Sequence, residues 1–122
     1  MKPPRMLATA ALFGGLAVIF GAFAAHALES RLEPHALRTF ETAVRYQMYH
    51  ALALGLCAVA GMRRPPSAAA WCFAAGIVLF SGSLYLLVFT QASWLGAVTP
   101  FGGVLFVVGW ILLGWSALRQ ND

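Results

Sequence analysis

The sequence predicts an all-α protein, a bundle of four transmembrane helices that run alternately up and down. Hydrophobic residues make up 61% of the 122 residues and charged residues only 10%, whereas soluble domains carry about 25% charged residues. Apolar runs, each near the ~20 residues that cross a bilayer, lie at 7–28, 36–60, 68–90 and 99–118. Because short links join these runs, we expect antiparallel neighbours within one integral membrane domain over 1–122.

The first run allows two interpretations, because it follows Lys2 and Arg5 and ends in Ala25-His26-Ala27, with small residues at 25 and 27. A basic start, an apolar core and small residues are typical of a secretory signal peptide. The run is nevertheless long for a signal core and of the right length for a bilayer span. We therefore expect a retained transmembrane helix.

Small residues recur three or four positions apart along the first run, beginning at Ala10. Such a ridge lets another helix backbone approach closely, although a high content of Gly and Ala is also usual in membrane spans. We favour the packing interpretation and extend it to glycines of the third and fourth runs. The expected helix-packing positions are Gly14, Ala17, Gly21, Ala25, Gly82, Gly102 and Gly103.

Proline and cap residues indicate where the later helices begin. Pro34 has a fixed φ that suits the first turn of the second helix. Ser67 follows two prolines that end helical structure, so we expect it to cap the third helix. Thr99 and Pro100 are expected to open the fourth helix as its cap and first helical residue.

Basic residues are divided unequally between the two ends of the predicted bundle. An up-and-down topology places both termini and the second link at one end. The cations of that end are Lys2, Arg5, Arg63, Arg64 and Arg119, against Arg31 and Arg38 at the other end. Positive residues prefer the cytoplasm, so we expect both termini to be cytoplasmic. The cations form no basic stripe, so we expect no nucleic acid as a partner.

Ionisable and aromatic side chains are concentrated in the second run. Glu41 and Arg45 lie four residues apart in the orientation that favours pairing. Ionisable groups inside a membrane normally face the bundle interior and pair. The expected positions along the helices also place polar residues of three helices in the same half of the bundle, on its non-cytoplasmic side. We therefore expect one inward-facing polar cluster, which either holds the helices together or forms a ligand or proton path. Its members are His26, Glu41, Arg45, Tyr46, Tyr49, His50, Ser81, Ser83 and Tyr85.

Metal and catalytic sites are not expected. His26 and His50 are the candidate haem or metal ligands, with Met48 nearby, but they differ in depth and a metal needs further ligands. We favour interhelical hydrogen bonds for both histidines and expect no cofactor. Cys57 and Cys72 are interpreted as packing residues. No nucleophile, base and orienting residue occur as a set, so we expect no enzymatic activity.

Four motifs stand in the order of one known family. They are GAFAAHAL at 21–28, RYQMYHAL at 45–52, SGSLY at 81–85 and GAVTPFGG at 96–103. The chain resembles the domain-of-unknown-function 423 family of small membrane proteins, which has a mitochondrial relative called transmembrane protein 256. Ala24 and Ala27 depart from the pattern, because many relatives are expected to have Gly there. The resemblance implies a four-span protein of bacterial inner or mitochondrial membranes, and implies no reaction or ligand.

Three functions remain open from the sequence. The first is a structural, assembly or interaction subunit of a membrane complex, with a membrane-protein partner or a second copy of the chain. The alternative is a protein that binds or conducts a small solute or ion through the polar cluster. The third is a haem or metal carrier. We favour the first, in the inner (plasma) membrane with the lipid bilayer around it.

Overall fold

A computed structural model describes residues 1–121, and the regular structure of this part of the chain is entirely helical. The predicted all-α class and the four long helices are therefore confirmed. The elements are α1 (Pro3–Phe23), which continues through a π-helical turn (Ala24–Leu28), α2 (Pro34–Val59), α3 (Ser67–Thr90), α4 (Leu95–Leu118) and a 3₁₀ turn (Arg119–Asn121).

Three of these helices are long and apolar enough to cross a membrane. They are α1 with its π-helical turn, α3 and α4. Helix α2 is long enough at 26 residues but carries Glu41, Arg45 and His50 in its central part. It does not reach the same apolar standard.

The helix ends differ from the predicted ones where proline is involved. Helix α1 begins at Pro3 because two prolines suit its first turn. Helix α4 begins at Leu95, so Pro100 lies inside the helix and Thr99 does not cap it. The turn before α4 winds directly into the helix, with the Leu95 N–H donating to the Ala92 carbonyl at 3.1 Å. Ser67 is likewise the first residue of α3 and not its cap.

Each helix packs mainly against its neighbour in the chain, so α2 and α3 lie in the middle of the array. Met6 and Ala10 of α1, Leu54 of α2, Phe73 of α3 and Phe106 of α4 belong to one buried cluster. A smaller cluster lies towards the other end of the bundle, and contains Ala24, Leu28, Phe40 and Val88. All four helices therefore share one interior.

Three glycines lie in close contacts where α3 crosses α4, and two of them, Gly76 and Gly109, form notches that phenylalanine rings fill. A Cβ built on Gly102 would lie 2.7 Å from the Phe80 Cβ, and one on Gly76 would lie 2.6 Å from the Phe106 ring. A Cβ on Gly109 would lie 2.7 Å from the Phe73 ring. At Gly102 a side chain would overlap the backbone of the facing helix, whereas at Gly76 and Gly109 it would overlap a phenylalanine ring, which would have to move.

The other expected packing positions differ in how closely they contact a neighbouring helix. Ala17 is buried, and a Cβ on Gly21 would meet Val44 at 3.4 Å. Gly103 is looser than Gly102, with 3.9 Å from its built Cβ to Phe80. The remaining three do not lie in tight contacts, since a Cβ on Gly14 or Gly82 would meet nothing within 4 Å and Ala25 is exposed.

Both chain ends and the link between α2 and α3 lie at one end of the bundle. The Met1 amino group hydrogen bonds with the Ser67 Oγ, and the Arg64 N–H donates to the Gln120 Oε1 at 3.3 Å. The five cations that the sequence assigns to this end therefore lie in segments at the same end of the fold. We call it the basic end.

Candidate functional site

A buried amide links three helices at the centre of the bundle. The Gln47 Nε2 donates to the Phe13 carbonyl at 2.8 Å, and the Tyr85 hydroxyl donates to the Gln47 Oε1 at 2.7 Å. The cluster predicted from the sequence does not include Gln47, although Gln47 shares a helical stripe with Ala43, His50 and Leu54. These residues lie on the buried face of α2, so their helical spacing could have identified Gln47 as an inward-facing residue.

Two serines of α3 tie that helix to both of its neighbours. The Ser81 hydroxyl is fully buried and donates to the Ala43 carbonyl of α2 at 2.7 Å. The Ser83 hydroxyl bonds with the Thr99 hydroxyl of α4 and donates to the Phe80 carbonyl of its own helix at 2.9 Å. Hydroxyl bonds of this kind hold helices together where water is absent.

His50 is held on both ring nitrogens. Its Nδ1 lies 2.7 Å from the Tyr46 carbonyl, and the Trp110 indole N–H donates to its Nε2 at 3.1 Å. These partners require the proton on Nδ1, since a carbonyl accepts and an indole N–H only donates. The ring also stacks on Phe106, with 3.5 Å between centroids. A metal at Nε2 would have to displace Trp110.

The buried side-chain nitrogen and oxygen atoms of the described residues all have a hydrogen-bond partner within the protein. The structure brings His50, Ser81, Ser83 and Tyr85 into this interior network and adds Gln47. Among the same residues, no group of three or more His, Cys, Asp or Glu lies close enough to hold a metal ion. These hydrogen bonds, which we call the interior network, join helices as separate groups and not as the single cluster expected from the sequence. Tyr85 bonds to Gln47 and Ser83 to Thr99, whereas Ser81 bonds to a backbone carbonyl and His50 to Trp110 and a backbone carbonyl.

The remaining members of the expected cluster lie outside this network. His26, Arg45, Tyr46 and Tyr49 are exposed and Glu41 is only partly buried. Arg45 is two residues from Gln47, which is roughly 200° around a helix, so the burial of Gln47 turns Arg45 outward. Within the described part of the chain, Glu41 and Arg45 form no ion pair at the 4.0 Å limit. The expectation of a paired, inward Arg45 is corrected.

Two clefts lie at the basic end. One, of about 620 Å³, separates α1 from α3 and is lined by Lys2, Arg5 and apolar side chains. The other, of about 690 Å³, lies beside the link between α2 and α3 and is lined in part by Arg63, Arg64 and Arg119. No member of the expected polar cluster lines either cleft.

Comparison with known proteins identifies relatives over most of the chain. A family model described as "Protein of unknown function (DUF423)" matches residues 20–103. The UPF0382 membrane protein SAB0533 of Staphylococcus aureus is 49% identical over 105 residues, 84% of this chain and 86% of the relative. The UPF0382 membrane protein YwdK of Bacillus subtilis is 48% identical over 110 residues, 85% of this chain and 88% of the relative.

A more distant relative aligns over nearly its whole length. The UPF0382 membrane protein of Haemophilus influenzae is 40% identical over 122 residues, and the alignment covers 97% of each chain. No solved structure matches the chain. The resemblance seen in the four sequence motifs is confirmed, and the chain belongs to the DUF423 family of membrane proteins, whose function is unknown.

Proposed function

We propose that this protein is an interaction subunit of a complex in the inner (plasma) membrane. In this proposal all four helices span the bilayer, and one exposed face of α2 binds a helix of another membrane protein or of a second copy. We call that surface the outer face of α2. It consists of Arg38, Arg45, Tyr49, Leu52, Leu56 and Val59, all of them exposed.

The observation that carries the proposal is the exposure of Arg45 at the middle of α2. Arg45 is roughly 17 Å along the helix from Pro34 and roughly 21 Å from Val59. The surrounding helices expose apolar side chains at this level, such as Val18 of α1 and Val104 of α4, each 61% exposed. A guanidinium at this depth costs about 2.5–3.5 kcal/mol on insertion scales when lipid surrounds it. A polar partner would remove that cost.

The depth of Arg45 follows from contacts on both sides of α2. The bond between Gln47 and Phe13 sets the level of α1, and the bond from Ser81 to Ala43 sets the level of α3. Since α1 and α3 are both candidate membrane spans, these contacts support a membrane position for α2 as well. Helix α2 is then less apolar than the other three helices because half of its outer face, namely Arg38, Arg45 and Tyr49, is polar.

The pattern of the outer face fits a second helix. Arg45, Tyr49, Leu52, Leu56 and Val59 are separated alternately by four and three residues, which is the spacing of a helix-packing seam. Arg45 and Tyr49 provide hydrogen-bond donors, and the three aliphatic side chains provide a surface for close packing. An acceptor on the partner helix would satisfy Arg45, as intramembrane charges generally require.

The interior of the bundle supports this function over the two alternatives. Gln47 and Tyr85 bond to each other, and so do Ser83 and Thr99, so they serve packing more readily than solute passage. His50 uses both nitrogens, which argues against a haem or metal carrier. For orientation, the concentration of cations at the basic end supports cytoplasmic termini.

The test is native mass spectrometry of the protein extracted from its own membrane in a gentle detergent. We expect a defined complex that dissociates in Arg45→Leu, and a mass that distinguishes a second copy from another protein. Arg31→Leu is the matched control, because it removes one exposed cation outside the outer face of α2, and the complex should survive it. A wild-type protein that is always a lone monomer would contradict the proposal, as would a complex unaffected by Arg45→Leu.

A further inference from the structure

The cleft between α1 and α3, which we call the α1/α3 groove, has one charged end and one apolar end. Lys2 and Arg5 line it at the basic end of the bundle, and Phe13 and Val78 line its deeper part. From Arg5 to Phe13 the groove follows α1 for roughly 12 Å. Trp71 and Val78 are each 59% exposed, so the groove also opens sideways towards the bilayer.

Positive charge at the mouth of the groove has two sources. The first is a set of charged groups, the exposed side chains of Lys2 and Arg5 and the amino group of Met1, and none of the described residues that line the groove is acidic. The second is the helix dipoles, because α1 and α3 both begin at this end, joined by the bond between Met1 and Ser67. Helix N-termini favour negative charge, so the two sources reinforce each other.

We propose that the α1/α3 groove binds one anionic phospholipid. Its phosphate lies at Lys2 and Arg5, and one acyl chain lies along Phe13 and Val78. This occupant follows from the combination of features. A free anion would not contact the apolar part of the groove, and the cations would stabilise a bound zwitterionic lipid less than a bound anionic one. Trp71 stands at the rim, where aromatic side chains meet the headgroup region. The site is independent of any partner of α2.

The effect of removing the cations can be stated as a change in affinity. Each Lys or Arg near an anionic membrane surface contributes a factor of about five to binding. The double variant Lys2→Gln, Arg5→Gln should therefore bind the lipid roughly thirtyfold more weakly. Both side chains are exposed, so we expect this variant to fold normally.

The experiment titrates the purified full chain with phosphatidylglycerol and with phosphatidylcholine of the same acyl chains, and counts bound lipids by native mass spectrometry. We expect one phosphatidylglycerol to bind tightly to the wild type, and to bind roughly thirtyfold more weakly to the double variant. The matched control is Arg63→Gln, Arg64→Gln, which removes the same charge from the same end but outside the groove. This control should retain the lipid.

A second pair of variants tests the apolar part of the groove with both cations in place. Ala75 lines the groove, so Ala75→Trp should fill it and expel the lipid. Ala22→Trp, on an exposed part of α1 outside the groove, should leave binding unchanged.

Three results would overturn the site. Equal loss in the two charge variants would show diffuse surface attraction, and equal binding of both lipids would show that the cations do not select the headgroup. Inorganic phosphate that stabilises the protein as strongly as phosphatidylglycerol would show a free-anion site instead.

Discussion

The replacement of Gly102 by alanine tests the way α3 and α4 are packed. A Cβ at this position would lie 2.7 Å from the Phe80 Cβ and 2.8 Å from the Phe80 Cα. Those are atoms at and beside the backbone of the facing helix, so a change of side-chain rotamer cannot relieve the overlap. The two helices would have to separate.

Two opposing terms set the expected size of the effect. Overpacking a fitted interior costs about 1–3 kcal/mol, and we take the upper end because the obstacle is backbone. Alanine in place of a helical glycine contributes about 0.5–1 kcal/mol in the other direction. We therefore expect Gly102→Ala to lose about 2 kcal/mol of unfolding free energy.

The matched control is Gly82→Ala, in α3, where a built Cβ meets nothing within 4 Å. It should be neutral or gain up to about 1 kcal/mol from helix propensity alone. Both variants are compared with the wild type by reversible unfolding in mixed detergent micelles. If Gly102→Ala proves as stable as Gly82→Ala, the close approach of α3 and α4 described above is incorrect.

Three further predictions concern the interior network and the topology. Tyr85→Phe leaves the Gln47 Oε1 without its donor and should cost about 1–3 kcal/mol; additivity with Gln47→Leu in a double-mutant cycle would argue against a direct bond. His50→Phe preserves an aromatic ring but leaves the Trp110 N–H unpaired, so we expect a loss of about 1–3 kcal/mol in the same unfolding assay, and an unchanged stability would refute the role given to His50. A reporter enzyme fused to the C-terminus should give a cytoplasmic signal, and a periplasmic signal would reverse the proposed topology.

The number and approximate extent of the helices followed from the sequence because hydrophobicity acts locally. The runs at 7–28 and 68–90 were recognisable from their length and apolar content alone. The start of α4 was misplaced because Pro100 can be read either as a first helical residue or as an interior one. Only the turn that precedes Leu95 decides between them.

The prediction of which α2 side chains point into the bundle was partly wrong, for a different reason. The rule that intramembrane charges point inward placed Arg45 inside, whereas the inward positions are occupied by Gln47 and His50. A sequence does not state whether a second protein covers an exposed face. The glycine notches at Gly76 and Gly109 were missed likewise, because they depend on the register between α3 and α4, which no local pattern encodes.

Site-specific photo-crosslinking in native membranes shows whether a partner helix covers the outer face of α2. A photoreactive amino acid placed at Tyr49, on the outer face of α2, reports what lies against that face. The control position is Val18, which is similarly exposed at about the same depth on α1. We predict a protein adduct of one defined mass from position 49 and only lipid adducts from position 18. Lipid adducts alone at both positions would contradict the proposed partner, since the outer face of α2 would then meet the bilayer.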